Sequence, residues 1–132
     1  MRQTRGTGVP AGRACSGCNL YKRKEFFYKA NYGKSLNPLC KPCFSFRNRE
    51  LRLKNLYGLT IQDYETMLDN QDRKCAICHV GFGTRQFDID HNHTTGKVRG
   101  LLCNNCNQML GQAKDSILVL ERAIQYLEER DG

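Results

Sequence analysis

The fold of this chain is decided by residues 90–107, which read Asp90-His91-Asn92-His93-Thr94-Thr95-Gly96-Lys97-Val98-Arg99-Gly100-Leu101-Leu102-Cys103-Asn104-Asn105-Cys106-Asn107. Alternation from Phe87 to Asp90 predicts a short strand, and Thr94–Lys97 has the composition of a turn. Val98–Leu102 predicts a second strand, and Asn104–Leu110 predicts a helix that begins near the last cysteine pair. The stretch therefore predicts two short strands followed by a helix.

Eight cysteines stand in four Cys-x2-Cys pairs, at Cys15/Cys18, Cys40/Cys43, Cys75/Cys78 and Cys103/Cys106. Two such pairs supply the four thiolates of a closed tetrahedral zinc site. Sequential pairing predicts one zinc for the first two pairs and one for the last two, and interleaved pairing is the alternative. Disulfides, free thiols, a redox pair and iron–sulfur ligation are the other interpretations. A closed site leaves no open position, so both zincs are expected to be structural.

A polar cluster adjoins the second predicted zinc site. Asp90 offers a carboxylate, a side-chain amide of the following helix offers a carbonyl, and both suit a hard ion such as Mg²⁺. The neutral imidazole of His91 suits a general base near pH 7, so the cluster fits hydrolysis of a phosphodiester. A polar turn, or extra zinc ligands, is the alternative for Asp90, His91 and His93. His79 is expected to be a surface residue.

The stretch from Asp90 to Asn107 resembles the signature of the phage recombination endonuclease VII family, which belongs to the HNH nucleases with a ββα-metal fold. The resemblance covers roughly residues 55–130. It implies that Asp90 and Asn107 hold the catalytic Mg²⁺ or Mn²⁺ and that His91 is the general base. It also implies that His93 is a further active-site histidine.

The chain departs from that family's resolvase at both ends. An added ribbon from Cys15 to Cys43 precedes the nuclease-like part, and about one helix follows it. Long C-terminal segments that build the resolvase dimer are reduced or missing, which puts cutting of four-way junctions in doubt.

The composition bounds the remaining possibilities. The chain has 132 residues, a formal charge of +8, 39% hydrophobic residues and no Trp, which suits one domain or two very small ones without a large core. No stretch approaches the roughly 20 apolar residues of a membrane span. The N-terminus has no apolar signal region, so we expect a reducing cytoplasm, that of the host cell if the chain is phage-encoded.

The charge is uneven along the chain. Residues 1–58 contain 13 Lys and Arg against 2 acidic residues, giving +11, whereas residues 59–132 contain 8 against 11, giving −3. The first half therefore predicts an electrostatic contact with nucleic acid, and simple solubilisation is the alternative. The predicted phosphate contacts are Arg47, Arg49, Arg52, Lys54, Lys97 and Arg99. A solvated helix face, or a solvated turn, is the alternative for these six residues.

Composition and pattern divide the chain into four predicted segments. They are a disordered basic arm (1–13), a zinc ribbon (14–44), a basic linker helix (45–58) and an endonuclease VII-like nuclease domain (59–132). Gly58 is expected to end the linker helix, and Thr60 with Asp63 to form a capping box for the next. That helix is expected to run to about Asn70, with Tyr64, Met67 and Leu68 toward the core.

Apolar residues in the flanking segments predict further packing. Phe26 and Phe27 are expected to form the ribbon core, while Tyr21, Tyr28 and Tyr32 suit either core packing or base stacking. A C-terminal amphipathic helix is expected from Ser116 to about Arg130, capped by Asp115 or Ser116, with one apolar face of Ile117, Leu120, Ile124 and Leu127. That face is expected to pack on the chain's own core, and a homodimer contact is the alternative.

Together these features predict a small, zinc-stabilised α+β protein with two structural Zn²⁺ and one catalytic Mg²⁺ or Mn²⁺. The predicted function is a DNA endonuclease that nicks or cuts duplex or branched DNA. A non-catalytic zinc-ribbon DNA-binding protein is the alternative from another class, and an RNA-binding ribbon protein is a third.

Overall fold

The computed structural model describes residues 10–131, which divide into two compact units at Gly58. Unit 1 ends at Gly58 and unit 2 begins at Leu59. The predicted disordered arm falls outside the described residues up to residue 9. Its last two residues, Gly12 and Arg13, lie instead in a strand. Glycine is required there because a Cβ on Gly12 would clash with the carbonyl oxygen of Lys22 on the paired strand.

The described part of unit 1, residues 10–58, contains two antiparallel strand pairs and one helix. Its elements are β1 (Gly12–Ala14), β2 (Tyr21–Arg23), a 3₁₀ turn (Lys24–Phe26), β3 (Phe27–Ala30), β4 (Ser35–Cys40) and α1 (Lys41–Tyr57). β1 pairs with β2, and β3 pairs with β4. Strands and a helix within one small unit confirm the α+β class.

The helix α1 begins at Lys41, four residues before the start predicted from the sequence. Pro42 explains the early start, because a proline in the first helical turn gives up only an N–H that has no partner within the helix. Cys43 is therefore already helical, so the segment boundary predicted at residue 45 is wrong. Gly58 ends the helix in the left-handed conformation (φ 66°), as predicted.

The core of unit 1 is small and built around its cysteines. Phe27 and Leu36 are buried together with Cys15 and Cys40. Phe26, also predicted to be core, is 53% exposed because it ends the 3₁₀ turn, one residue before the buried strand position. The tyrosines Tyr21, Tyr28 and Tyr32 are exposed.

Unit 2 consists of one strand pair and three helices. Its elements are α2 (Ile61–Asn70), β5 (Asp88–His91), β6 (Val98–Leu102), α3 (Asn104–Gln112) and α4 (Ile117–Asp131). β5 and β6 are antiparallel, and α3 packs against both of them. The predicted order of strand, turn, strand and helix is confirmed.

Buried contacts join α2 to the strand pair. The capping box predicted at Thr60 and Asp63 is present and starts α2. Tyr64 on this helix is buried and its hydroxyl donates to the carbonyl oxygen of Phe87, 3.0 Å away. Gln71 just after the helix bonds both the N–H and the carbonyl of Leu101, so α2 fixes the position of β6.

The helix α4 leaves its apolar side chains in solvent. None of its described residues is buried, and Ile117, Ile124 and Leu127 are more than half exposed. The prediction that this face packs on the chain's own core is therefore wrong, since unit 2 is closed by α2 and α3. Among residues 10–131, no helix has the length and apolar character needed to cross a membrane.

Candidate active site

The two units build their cysteine loops in the same way. In the first Cys-x2-Cys pair of each unit, the backbone N–H of the first cysteine donates to the carbonyl five residues later. The residue that follows the second cysteine of that pair has a left-handed backbone conformation. The first feature joins Cys15 to Leu20 (3.0 Å) and Cys75 to Val80 (2.9 Å). The second places Asn19 at φ 58° and His79 at φ 59°. His79 is thus an exposed loop residue, as predicted, held by backbone geometry.

Each loop meets a second cysteine pair at the start of a helix. Cys40 and Cys103 are the N-cap residues of α1 and α3. Within each group of four cysteines the Sγ atoms lie within 4.8 Å of one another. A tetrahedral zinc with Zn–S bonds of about 2.3 Å requires sulfur separations of about 3.8 Å, and Cys78 and Cys103 are 3.7 Å apart. The two groups fit the two predicted structural zinc ions, with sequential pairing.

Backbone N–H groups lower the pKa of one thiol in each cluster. The N–H of Cys40 donates to Cys15 Sγ at 3.2 Å, and this bond is the main reason that the Cys15 pKa falls to about 5. Burial opposes ionisation of Cys75, but backbone donors led by Cys103 lower its pKa to about 6. The pKa values of Cys43 and Cys106 are raised to about 12, mainly by the hydrogen bond with Cys40 for Cys43 and by burial for Cys106. Each cluster therefore holds at least one thiol that favours the zinc-binding thiolate and one that does not.

A β-bulge shapes the strand pair beside the second cluster. The register passes from Asp90 opposite Gly100 to His91 opposite Val98, which makes Arg99 the extra residue of β6. A bulge redirects the side chain of the extra residue relative to strict alternation. The bulge therefore allows the side chain of Arg99 to reach Asp90, although Gly100 is the residue paired with Asp90.

Asp90 forms a two-point ion pair with Arg99. Arg99 Nε donates to Asp90 Oδ2 at 2.6 Å, and Nη2 donates to Oδ1 at 2.9 Å. Asp90 is buried, and it is the buried charged residue among those the structure describes. Its hydrogen bonds to Arg99 are the main reason that the pKa of the guanidinium is raised. The sequence predicted that Arg99 contacts phosphate, with a solvated turn as the alternative. In the structure Arg99 instead binds Asp90, the predicted metal ligand.

Asp115 joins this cluster from the connection between α3 and α4. Its Oδ2 atom lies 3.1 Å from His93 Nδ1 and 3.2 Å from Arg99 Nη2. The hydrogen bond to His93, followed by the charge of Arg99, lowers the pKa of Asp115. The rings of His91 and His93 lie with centroids 4.7 Å apart. The structure therefore brings Asp90, His93 and Arg99 together, with the ring of His91 beside that of His93. Asp115 was missed because it lies outside the motif.

Asn107, the predicted amide ligand, contacts a carboxylate that the sequence reasoning did not select. Its Nδ2 atom lies 3.4 Å from Asp88 Oδ2. Asp88 and Asp90 are two residues apart on β5 and share one face of the strand, the signal that could have identified Asp88. A carboxylate from Asp90 and an amide carbonyl from Asn107 are oxygen donors that Mg²⁺ and Mn²⁺ prefer. The chemistry of these donors therefore fits the predicted catalytic cation.

The turn that follows β5 is held by Asn92. Its side-chain oxygen accepts from the N–H groups of Thr94 and Thr95, both at 2.9 Å. Gly96 adopts φ 72° and completes the turn before Lys97, whose side chain is exposed. Lys97 is thus exposed at the end of a turn that Asn92 and Gly96 hold, and its role as a phosphate contact stays a prediction.

The basic residues of α1 do not share one face. Arg47 and Lys54 are seven residues apart and project from one side, whereas Arg49 and Arg52 project from the opposite side. Arg47, Arg52 and Lys54 are exposed, and Arg49 is half-buried. A single straight phosphate backbone can therefore meet one of the two basic pairs.

Comparison with known proteins identifies the family. The profile of the recombination endonuclease VII family matches residues 50–129, which is more than half of the chain. The chain belongs to this family. The matched range contains α2, the strand pair, α3 and most of α4, together with Asp90, His91, His93 and Asn107. The resemblance stated from the sequence is confirmed.

Two curated phage proteins are similar to part of the chain. The gene 59 protein of Mycobacterium phage D29 is 44% identical over 82 residues, 61% of this chain and 50% of that protein. The gene 59 protein of Mycobacterium phage L5 is 42% identical over 80 residues, 59% of this chain and 49% of that protein. The chain thus spans about half the length of these relatives.

One solved structure is also similar, that of the ββα-Me type II restriction endonuclease Hpy99I. It is 27% identical, with a TM-score of 0.39, over 90% of this chain and 66% of that chain. That TM-score is too low to establish a common fold.

Proposed function

We propose that this protein is a DNA endonuclease of the HNH type that hydrolyses phosphodiester bonds with the help of Mg²⁺ or Mn²⁺. The observation that carries the proposal is the position of Asp90. It is a buried carboxylate on the strand pair of the family's matched range, next to His91 and on the strand face that carries Asp88. Arg99 pairs with this buried charge, and the family match over the same strand pair supports a catalytic role for Asp90.

The residues divide the reaction between them. Asp90 and Asn107 would hold the cation, which when bound neutralises the phosphate and the leaving oxygen. His91 accepts the proton from the attacking water, whose oxygen forms the new bond to phosphorus while the bond to the 3′ oxygen breaks. The 3′ oxygen gains a proton, so the products are a 5′-phosphate and a 3′-hydroxyl. His93 stabilises charge at the phosphate from the side opposite its bond to Asp115.

Unit 1 supports DNA binding in this proposal. Residues 1–58 carry +11, and the tyrosines Tyr21 and Tyr32 are 71% and 106% exposed. Cations track a phosphate backbone, and exposed aromatic rings stack on bases. The substrate is duplex or branched DNA in the host cell cytoplasm, contacted through α1 and through Lys97 beside the active site.

Substitution of His91 tests the catalytic assignment. Purified His91→Ala protein is expected to lose cleavage of plasmid, single-stranded and branched DNA in Mg²⁺, while it keeps two zinc ions and its affinity for DNA. EDTA in the wild-type reaction is expected to have the same effect on cleavage. Loss of zinc or of the folded state in His91→Ala would contradict a catalytic role.

The competing function is a non-catalytic zinc-ribbon DNA-binding protein. It predicts tight binding without cleavage of any DNA in Mg²⁺, Mn²⁺ or other divalent ions, and the same gel separates the two. Competition with RNA distinguishes an RNA-binding ribbon from both. Cleavage that survives His91→Ala would show that another residue activates the water.

The exposed face of α4 favours a homodimer as the form that cuts both strands. Ile117, Ile124 and Leu127 are apolar and more than half exposed, a pattern that helix pairing would bury. Sedimentation equilibrium is expected to give a dimer for the wild type and a monomer for Ile124→Glu. A wild-type monomer at all concentrations would exclude the homodimer.

A further inference from the structure

Asp115 is a carboxylate outside the family motif that contacts two of its side chains. It lies between the end of α3 at Gln112 and the start of α4 at Ile117. Its Oδ2 atom lies within hydrogen-bond distance of His93 and Arg99, at 3.1 Å and 3.2 Å. Its side chain is 24% exposed, so it belongs to the interior edge of the site.

The local backbone frees this carboxylate from a capping role. Asp115 is left-handed (φ 54°), and its N–H donates to the carbonyl of Leu110 at 2.9 Å, which closes α3. Ser116 caps α4 instead, because its hydroxyl accepts from the N–H of Val119 at 3.3 Å. Of the two residues predicted to cap α4, Ser116 is therefore the cap. The carboxylate of Asp115 is turned toward the strand pair instead.

Arg99 is shared between two carboxylates. Its Nη2 atom contacts Asp90 Oδ1 at 2.9 Å and Asp115 Oδ2 at 3.2 Å, and its Nε occupies Asp90 Oδ2. Both oxygens of Asp90 therefore accept from the guanidinium, the same oxygens that a divalent cation would need. Each of these oxygens keeps a second lone pair, but the positive guanidinium beside them repels a divalent cation, so the cation would compete with Arg99 at Asp90.

Asp115 has unused acceptor capacity for a donor of Arg99. Its Oδ1 atom is buried without a hydrogen-bond partner among residues 10–131. A buried oxygen in this state gains a favourable bond when a donor moves toward it. Arg99 can therefore transfer a donor from Asp90 to Asp115 and remain paired throughout.

We propose that Asp115 is a positioning residue, which takes the Arg99 guanidinium from Asp90 when a divalent cation binds and keeps His93 in place. The inference rests on the proposed function, since it assumes that Asp90 is a cation ligand. Without Asp115, Arg99 has Asp90 as its carboxylate partner, and the cation must compete against the full two-point ion pair.

Mn²⁺ binding measured by electron paramagnetic resonance tests this directly, on zinc-loaded protein without DNA. Asp115→Asn is expected to weaken Mn²⁺ binding about tenfold, the lower end of the usual loss for residues that support metal ligands. Arg99→Gln is expected to tighten it. The double variant is expected to bind like Arg99→Gln alone, because the competitor is gone.

An equal loss from Asp115→Asn with and without Arg99 would overturn the proposal, because it would indicate a simple charge effect. Unchanged affinity in Asp115→Asn would overturn it as well. Ser116→Ala is the matched control: it removes the cap of α4 one residue away and is expected to leave Mn²⁺ affinity unchanged. A loss in Ser116→Ala equal to that in Asp115→Asn would assign the effect to the connection and not to the carboxylate.

Asp90→Asn separates this inference from the proposed function. Loss of Mn²⁺ binding in Asp90→Asn with unchanged binding in Asp115→Asn rejects the role of Asp115 alone. Unchanged binding in Asp90→Asn rejects the cation site, and the role of Asp115 with it.

Discussion

The side-chain amide of Asn107 on α3 donates to the carboxylate of Asp88 on β5, across 3.4 Å. This contact fixes which end of the amide faces the strand, because the nitrogen is the end that can donate. The Oδ1 atom, the one suited to a cation, is then turned away from the Asp88 oxygen.

Asp88→Ala is therefore expected to weaken Mn²⁺ binding by about tenfold, since the amide loses the partner that orients it. Asp88→Asn keeps an acceptor oxygen and is expected to lose less. The binding of Mn²⁺ is measured by electron paramagnetic resonance. Asn105→Ala is the control, because Asn105 is an exposed neighbour of Asn107 on α3. Equal affinity in Asp88→Ala and the wild type would show that Asp88 does not orient Asn107.

Loss of one cluster is expected to remove one zinc. Plasma mass spectrometry is expected to find two zinc ions per chain in the wild type. The Cys15→Ser and Cys75→Ser variants are each expected to contain one zinc ion per chain. Cys75→Ser is expected to abolish cleavage, because unit 2 depends on its metal for folding. A content of two in either variant would show that the remaining three thiolates of that cluster still hold the ion.

The capping box of α2 gives a prediction about pH. The backbone N–H of Thr60, and then its hydroxyl, lower the pKa of Asp63 below its usual 3.8. A lowered folded-state pKa gives stability that is fully present above the unfolded pKa and is lost only as the pH falls through the folded value. The melting temperature of Asp63→Asn is thus expected to lie below that of the wild type by the same margin from pH 8 to pH 5.

Thr66→Ala is the control, since this exposed threonine on α2 donates its hydroxyl to a helix carbonyl and caps nothing. It is expected to change the melting temperature less than Asp63→Asn does. A margin that does not shrink as the pH falls below 3.8 would show that the Asp63 pKa is not lowered.

Packing of α2 on the strand pair predicts two different losses of stability. Leu68 is fully buried, and Leu68→Ala is expected to lower the free energy of unfolding by about 2–5 kcal/mol. Tyr64→Phe removes the bond to the Phe87 carbonyl and is expected to cost about 1–2 kcal/mol. Leu118→Ala, 54% exposed and outside the proposed dimer face, is the control in urea denaturation. Equal losses in Leu118→Ala and Leu68→Ala would contradict the described core.

The two basic sides of α1 can be distinguished by salt dependence. Each phosphate contact contributes about one unit to the slope of log affinity against log salt. We expect Arg47 and Lys54 to face the DNA backbone, because Arg49 on the other side of α1 is half-buried. Replacing both Arg47 and Lys54 with Glu should then reduce the slope by about two. Replacing Arg49 and Arg52 with Glu should leave the slope unchanged. Lys74→Glu in unit 2 controls for net charge, and a uniform effect of all changes would indicate non-specific attraction.

Much of this architecture could be predicted because its determinants are local in the sequence. Cysteine spacing gave the two clusters, and alternation followed by helix formers gave β5, β6 and α3. The pairing of Arg99 with Asp90 could not be predicted, because strict alternation places Arg99 on the other face and the bulge is not written in residue type. Asp115 lies 25 residues after Asp90 in sequence, and a left-handed connection returns it to the site.

The two units share the geometry of their cysteine loops, but among the described strands only the pair of unit 2 carries acidic residues. Unit 1 has the cysteine loop, the strand pair and the helix begun by a cysteine, yet β3 and β4 carry no acidic residue. The architecture therefore forms without any of the reactive groups. The reactive groups of the proposed nuclease are therefore additions to a framework that both units share. They lie on β5, on α3 and on the connection after α3 in unit 2.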